Sequence, residues 1–368
     1  MKTIKFHEPY KSKNTLKYLE KVVNSNSYVD NYFKKGVEEY LTEKFGYKNF
    51  LLTHSATAAL EIAAILAELN GVKRVFLPSY TFSSTANAFL RSNINIKFCD
   101  INENDFNIDL NNVNSKKKTD GLCLVHYANS SSELNQAKKL NFNYLIEDAA
   151  QSFNVKYNNK LLGSFGNYGC LSFHPTKNVH AGFGGLFLAK SKSDLEIGKY
   201  IYERGTDRSK VLSGLKNKYE WVSTGSSFEM TELSAAVLLS QLEDYEKIFE
   251  IRKEIYLTYV NGLNKLIKHK YIEIQKINPN LSPNYHAFYI LLRTNRTKFL
   301  EYMFNNGIQC YIGYVPLHNS KYGKSKNLDV KLPKTEKYSQ LIVRLPLHTG
   351  LSKGDVSKII NKITDYFS

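Results

Sequence analysis

Residues 50–68 read FLLTHSATAALEIAAILAE, and this stretch decides the fold class. Residues 50–52 form a short apolar run typical of a strand, and a helical stretch follows from about Ala58 to Glu68. Small hydroxyl residues, from Thr53 to Thr57, occupy the turn between them. A strand, a turn and a helix in this order form the repeating unit of an α/β protein.

The same alternation continues outward through the first two thirds of the chain. Further strands are predicted at residues 74–77, 94–98, 121–125, 143–146, 169–173 and 185–189. Strands that alternate with helices form a mostly parallel sheet with both faces covered. Because the last two strands follow each other closely, we expect part of the sheet to be mixed.

The pattern changes after Met230. Residues 231–266 are typical of a long helical region, and a smaller α/β unit follows, with predicted strands at 273–274, 287–292 and 308–311 and helices at 296–305 and 353–367. We therefore predict a large domain over residues 1–245 and a small C-terminal α/β domain over residues 246–368.

The composition restricts the class of protein. The chain has 368 residues, 42% of them hydrophobic, and no apolar run approaches the roughly 20 residues that span a bilayer. Its four cysteines are scattered without metal-ligand spacing, which favours reduced thiols. We expect an ordered cytoplasmic protein with no membrane segment and no metal.

The net charge of +16 raises the possibility of nucleic-acid binding. The lysines, however, are spread along the chain, and the tight run is limited to Lys116-Lys117-Lys118. Abundant Asn, Ile and Tyr favour codon bias as the origin of the charge. We predict no nucleic-acid partner, although part of the charge could attract an anionic substrate such as a nucleotide diphosphate.

Polar residues follow several predicted strands at the point where each strand ends, which is where open α/β sheets bind ligands. Residues 53–57 could hold a phosphate at a helix N-terminus, or simply cap the helix. Asp148 could keep a pyridine nitrogen protonated, or cap the following segment. Lys177, in a turn held by Pro175, could form a Schiff base with an aldehyde cofactor, whereas a lone lysine is normally solvated. Glycines 182, 184 and 185 could let the backbone pass close to a bound ligand, and they suit a hairpin turn equally well.

Taken together, these segments resemble the DegT/DnrJ-type sugar aminotransferases of the fold-type I pyridoxal-phosphate group. The likeness covers almost the whole chain and rests on LPSYTFSSTANA at 77–88, EDAAQ at 147–151 and SFHPTKN at 172–178. A closer resemblance, to the branch that acts on dTDP-4-keto-6-deoxyglucose at C4, rests on HYA at 126–128, RGTDRS at 204–209, KYEW at 218–221 and GSSF at 225–228.

The resemblance implies a role for individual residues around pyridoxal 5′-phosphate. Lys177 is implied as the Schiff-base lysine and general base, and Asp148 as the partner of the pyridine nitrogen. Gln151 would lie beside the phenolic oxygen, and Phe82 would stack on the ring. The remaining implied cofactor contacts come from the amides of Ala56 and Thr57, the hydroxyl of Ser172 and, from the partner subunit of a homodimer with shared active sites, Ser227.

The substrate contacts implied by the resemblance are Tyr314 and His318, in a loop of the small domain. Two departures from the family pattern affect sugar selectivity: Phe183 replaces an acid, and residues 29–32 replace an N-terminal Gly-Pro.

The predicted function is transfer of an amino group from L-glutamate to a dTDP- or UDP-linked 4-keto-6-deoxyglucose, a step of deoxyaminosugar and glycan biosynthesis. Alternatives are a C3 aminotransferase of the same fold and a basic nucleic-acid-binding protein. A sugar 3-dehydratase carries histidine in place of the lysine, so Lys177 argues against it.

Overall fold

The computed structural model describes residues 3–25, 28, 32–115, 117–140 and 142–368. Positions 29–31, where the family's Gly-Pro is replaced, and Lys116 of the lysine run lie outside these ranges. The strands of the described chain are β1 Phe50–Thr53, β2 Arg74–Pro78, β3 Asn95–Cys99, β4 Asp120–Val125, β5 Tyr144–Asp148, β6 Lys156–Tyr157, β7 Lys160–Leu161, β8 Tyr168–Ser172, β9 Gly185–Ala189, β10 Ile272–Ile274, β11 Leu281–Ser282, β12 Phe288–Leu292, β13 Tyr311–Ile312 and β14 Ile342–Leu345.

The α-helices surround these strands in chain order. Those of the described residues are α1 Thr15–Asn24, α2 Tyr32–Glu43, α3 Ala56–Leu69, α4 Ser83–Arg91, α5 Leu134–Lys139, α6 Lys192–Tyr202, α7 Arg208–Leu212, α8 Glu232–Glu243, α9 Tyr245–Gly262, α10 Asn264–Lys268, α11 Arg296–Asn305, α12 Lys321–Ser325, α13 Pro333–Leu341 and α14 Lys353–Phe367. None of these helices combines the length and the apolar character needed to cross a membrane.

The main sheet has seven strands in the order β1-β9-β8-β5-β4-β2-β3. Strand β9 pairs antiparallel with both β1 and β8, whereas the pairs from β8 to β3 are parallel. Six strands therefore end at the same edge of the sheet. The prediction of a mostly parallel sheet with a mixed part is confirmed.

Both faces of this sheet are covered, as a parallel sheet requires. Alternate residues of β8 enter different cores: Cys170 packs with α3, and Leu171 packs with residues of α2 and α8. Helix α3 is apolar around much of its circumference, and its buried alanines let it lie close to the strands. The cores thereby fix the position of the turn that connects β1 to α3.

A second sheet, in the order β10-β12-β14-β13, is antiparallel throughout. Its core includes residues of α9, α11 and α14. Ile4 joins this core and forms a β-bridge with Ile308, so the beginning of the chain returns to the second sheet. The boundary at residue 245 falls at the start of α9 and stays a prediction.

The predicted strand at 308–311 is wrong in its bounds, because β13 comprises Tyr311–Ile312. Ile308 is buried and forms its bridge with Ile4 instead. The two-residue strands β6, β7 and β11 form a third small sheet that the sequence did not predict. Strands this short lack the alternation by which a strand is recognised.

Candidate active site

A cleft with a volume of about 450 Å³ opens at the carboxyl ends of the parallel strands and is closed on one side by the second sheet. Residues from segments far apart in the chain meet on its wall. The predicted site residues that line it are Ala56, Thr57, Phe82, Asp148, Gln151, Ser172, Lys177 and Tyr314.

The turn between β1 and α3, called the capping turn because Ser55 caps α3, presents backbone amides to this cleft. Ser55 is extended, with φ −164°, and its hydroxyl accepts a hydrogen bond of 3.1 Å from the amide of Ala58. The amides of Ala56 and Thr57 belong to the first helical turn, where no acceptor exists within the helix. The positive end of a helix with 14 residues adds to their attraction for an anion.

Gly185 determines how closely this turn approaches the sheet. It pairs with Thr53, and a Cβ at position 185 would lie 2.4 Å from the carbonyl carbon of Ser55 and 2.5 Å from the amide nitrogen of Ala56. A side chain at this position would displace the turn. Gly185 therefore allows a close approach by the turn between β1 and α3, and the approach of this glycine segment to a ligand stays a prediction.

The two acids that end β5 have different surroundings. The carboxylate of Asp148, only 6% exposed, accepts hydrogen bonds from the hydroxyl of Thr85 at 2.6 Å and the amide of Ala150 at 3.1 Å. Asp148 lines the cleft, and these two donors fix the orientation of its carboxylate.

Glu147 lies outside the cleft and is fully buried. Its carboxylate accepts hydrogen bonds from the amides of Gly163, Phe165 and Gly166 at 2.6–2.9 Å and contacts Nε2 of His126 at 2.9 Å. Burial acts to raise the pKa of Glu147, but His126 and the amides outweigh it and hold the pKa below its ordinary value. Glu147 thus anchors the loop at 163–166.

Lys177 follows β8 in a turn closed by a hydrogen bond of 2.9 Å from its amide to the carbonyl of His174. Burial and, to a smaller extent, the charge of Arg344 lower the pKa of Lys177 to about 8, although the charge of Asp148 acts in the opposite sense. A neutral amine, which is the nucleophilic form of lysine, is therefore accessible near physiological pH.

Gln151 connects the main sheet to the second unit. Its side-chain oxygen accepts a hydrogen bond of 2.8 Å from the amide of Ala128, and its side-chain nitrogen donates one of 2.8 Å to the hydroxyl of Tyr314. The ring of Tyr314 packs against Tyr80 and Tyr127 with centroid distances of 5.6 Å. Burial raises the pKa of Tyr314, so its hydroxyl remains a neutral donor and acceptor.

His318, unlike Tyr314, does not line the cleft. Its side chain is completely buried outside the cleft wall. Nδ1 lies 2.6 Å from the hydroxyl of Ser79, and Nε2 lies 3.3 Å from a carboxylate oxygen of Glu336. An enclosed ring with both nitrogens engaged has no face for a substrate. The structure therefore places His318 away from the cleft and Tyr314 on its wall, and the substrate contact of Tyr314 stays a prediction.

Phe82 and Ser227 are the exposed members of the predicted set. The ring of Phe82 lies on the cleft wall and is 59% exposed. Ser227 lies apart from the cleft of its own chain and accepts a hydrogen bond of 3.0 Å from the Arg204 guanidinium. In the same surface segment, Trp221 is 82% exposed.

The cleft wall also carries a group of basic residues that were not predicted from the sequence: His7, Arg252, His286 and Arg344. Arg252 is buried and donates to the carbonyls of Tyr285 at 3.1 Å and His286 at 2.6 Å. One signal could have identified Arg344, namely an arginine within the otherwise apolar strand β14. Among the described residues, no cluster of three or more His, Cys, Asp or Glu side chains could hold a metal ion.

The fold and the cleft define an α/β enzyme of the pyridoxal-phosphate-dependent transferase class. The chain belongs to the DegT/DnrJ/EryC1/StrS aminotransferase family, whose model matches residues 9–364. It is therefore an aminotransferase.

Relatives of this family cover most of the chain. A GDP-perosamine synthase from Vibrio cholerae is 24% identical over 99% of each chain. A UDP-4-amino-4,6-dideoxy-N-acetyl-β-L-altrosamine transaminase from Campylobacter jejuni is 26% identical, over 86% of this chain and 85% of that protein. The solved structure of Spr1654 from Streptococcus pneumoniae, in its PLP form, has a TM-score of 0.88 at 19% identity and covers 99% of this chain and 98% of that one.

The family depends on pyridoxal phosphate, and the cleft fits this cofactor. The capping turn at Ala56 and Thr57 offers amides for an anion, and Gly185 gives that turn its position. The amine of Lys177, with its lowered pKa, suits an aldehyde, and the carboxylate of Asp148 suits a protonated ring nitrogen.

Proposed function

We propose that this chain transfers the amino group of L-glutamate to C4 of a nucleotide-linked 4-keto-6-deoxyglucose, with dTDP or UDP as the nucleotide. One observation carries the proposal: a single cleft is lined by Lys177, Asp148 and the capping turn. Further support comes from the relatives, since both curated ones are named for nucleotide-linked sugars, and the name of the Campylobacter jejuni enzyme specifies a 4-amino-4,6-dideoxy sugar. The product would be the corresponding 4-amino-4,6-dideoxy sugar.

Two residues carry the proton chemistry in this proposal. Pyridoxal phosphate, when bound, withdraws electrons from the carbon next to the reacting nitrogen. Asp148, held in place by Thr85, would keep the ring nitrogen protonated. Nζ of Lys177 would accept the proton from the α-carbon of glutamate, and later deliver a proton to C4 of the sugar.

The other cleft residues would bind and orient the reactants. The amides of Ala56 and Thr57 and the hydroxyl of Ser172 would hold the phosphate of the cofactor. Phe82 would cover one face of the ring, and Gln151 would lie beside its phenolic oxygen. Tyr314, which Gln151 already holds by a hydrogen bond, would contact the sugar nucleotide.

We further propose a homodimer in which Ser227 completes the cleft of the partner subunit. The exposure of Ser227 and Trp221, and the distance of Ser227 from its own cleft wall, support this arrangement. Phe183, which replaces the family acid, is exposed at the cleft and packs its ring against His174 at 5.0 Å. It would give the sugar an apolar neighbour in place of a charged one.

The test is direct amination of defined substrates. The purified holoenzyme is incubated with L-glutamate and, separately, with dTDP- and UDP-linked 4-keto-6-deoxyglucose and with a 3-keto isomer. We expect a 4-amino product from one of the 4-keto sugars, and NMR coupling constants will assign its configuration at C4. Lys177→Ala serves as the inactive control. Amination at C3 alone, or of none of these sugars, would contradict the proposal.

A further inference from the structure

Arg344 is a cation on the cleft wall for which the described chain supplies no counter-ion. Its Nε atom is enclosed and has no hydrogen-bond partner, and its guanidinium carbon lies 5.3 Å from the ring centroid of Phe6. Arg344 is half-buried. Partial removal of a charge from water without pairing is unfavourable, so an unpaired cation in a cleft indicates a ligand that pairs with it.

Strand β14 directs this side chain into the cleft. Val343 and Leu345 belong to the core beneath α9 and α14, whereas Ile342 belongs to the cluster that contains Tyr80 and Tyr127 of the first unit. Because successive side chains of a strand point to opposite faces, Arg344 shares the face of Ile342. Its place on the cleft wall agrees with this alternation.

The surroundings of Arg344 are cationic. Burial lowers the pKa of His286, and nearby positive charges act in the same direction. These charges belong to Lys177, Arg252, Arg344 and His7. Arg252 already donates to two backbone carbonyls, which leaves Arg344 as the guanidinium that is free for a planar anion. A guanidinium presents paired N–H groups that match the two oxygens of a carboxylate.

We propose that Arg344 binds the α-carboxylate of the amino donor, an inference that rests on the proposed function. The donor's nitrogen reacts at the position that Lys177 serves, and its carboxylate is attached to the adjacent carbon. A cation that recognises this carboxylate must therefore lie close to Lys177. Arg344 and Lys177 line the same cleft, and Arg344 is the charged residue that most affects the pKa of Lys177.

The diphosphate of a nucleotide sugar carries charge of the same sign but has a different geometry. It is attached at C1, and the whole sugar ring separates it from the reacting C4. A cation that binds it is expected farther from Lys177 than a cation that binds the α-carboxylate of the donor. The carboxylate of the donor and the diphosphate of the acceptor can therefore be separated by experiment.

The test compares Arg344→Gln with the wild-type holoenzyme in the glutamate half-reaction alone, followed by the change in cofactor absorbance. Loss of a bidentate charge-assisted pair should raise the glutamate concentration for half-maximal rate by roughly ten- to a hundredfold. Calorimetric binding of glutarate, which involves no turnover, should weaken similarly, while binding of dTDP stays unchanged. Arg344→Lys should recover part of the loss.

Arg293→Gln is the matched control, because Arg293 is exposed, pairs with Glu273 and lies outside the cleft. Unchanged glutamate dependence in Arg344→Gln, or weakened dTDP binding alone, would overturn the inference and leave the proposed function intact. If the wild type aminates none of the sugars while Arg344→Gln still weakens glutarate binding, the proposed function fails and the inference stands. Should Arg344→Gln fold poorly, Arg344→Lys carries the same comparison.

Discussion

Glu147 and Asp148 are neighbours in sequence, yet only one of them can contact a ligand. The pleat of β5 directs Glu147 to four hydrogen-bonding groups in the protein interior and Asp148 to the cleft. Both residues are acids, so their surroundings, rather than their chemical type, make Glu147 a structural anchor and Asp148 a candidate catalytic group. Lys177 shows the same dependence, because burial and Arg344 shift its pKa from 10.5 to about 8.

This shift predicts how the cofactor-free protein takes up pyridoxal phosphate. Only the neutral amine reacts with an aldehyde, and a lowered pKa makes that form abundant at lower pH. The uptake rate, followed by absorbance, should rise about tenfold per pH unit below pH 8 and level off above it. Lys177→Arg should show no such uptake. A rate that keeps climbing toward pH 10 would contradict the assignment.

Strand β9 and the capping turn of α3 form the element pair on which the proposed phosphate site depends. The turn passes the backbone of Gly185 so closely that no Cβ fits between them. The buried residues of α3 pack against strands of the main sheet, and this packing holds the turn in place. A change in β9 is therefore expected to alter ligand affinity although its side chains form no part of the site.

Gly185→Ala tests this dependence. The added methyl group would displace the turn, with an overpacking cost of about 1–3 kcal/mol in folding free energy. We expect weaker binding of pyridoxal phosphate, while binding of pyridoxal, which lacks the phosphate, changes little. Gly354→Ala is the control, since its Cβ would meet its nearest neighbour at an ordinary 3.7 Å. Equal losses for both ligands would show that the turn has not moved.

At the scale of elements, the sequence predicted the parts of the fold that depend on local pattern. The seven strands of the main sheet were predicted because each is an apolar run that ends on polar or small residues. Pairing between distant segments has no such signal, so the Ile4–Ile308 bridge and the third sheet were missed. Arg252 was missed for the same reason, since only folding brings it to the cleft. Arg344 did have a local signal, because it is an arginine within an otherwise apolar strand.

The molecule as a whole buries many histidines in a basic environment. Burial lowers the pKa of five of them, namely His7, His174, His180, His286 and His348. Several lie where the N-terminal segment, the Lys177 turn and the second sheet meet. His7, for example, contacts the carbonyl of Pro175 at 2.6 Å. Protonation of these histidines would therefore affect the contact between the part of the chain that carries the main sheet and the part that carries the second sheet.

Acid should destabilise the protein through these histidines. The pKa of His7 falls from 6.5 to about 4 on folding, so the unfolded chain binds more protons between these two values. The free energy of unfolding should then decrease as the pH falls from 6.5 toward 4. In His7→Gln, the dependence of the free energy of unfolding on pH should decrease by the contribution of about one proton. Urea unfolding at several pH values measures this dependence. An unchanged slope would show that His7 does not contribute.

The exposure of Trp221 gives the protein a built-in optical probe. The chain has a single tryptophan, so its intrinsic fluorescence under selective excitation originates from one surface segment. An indole in water emits at long wavelength, and one covered by apolar groups emits at shorter wavelength. Because the same segment carries Ser227, the emission wavelength should report on the proposed association of subunits during dilution, with no attached label.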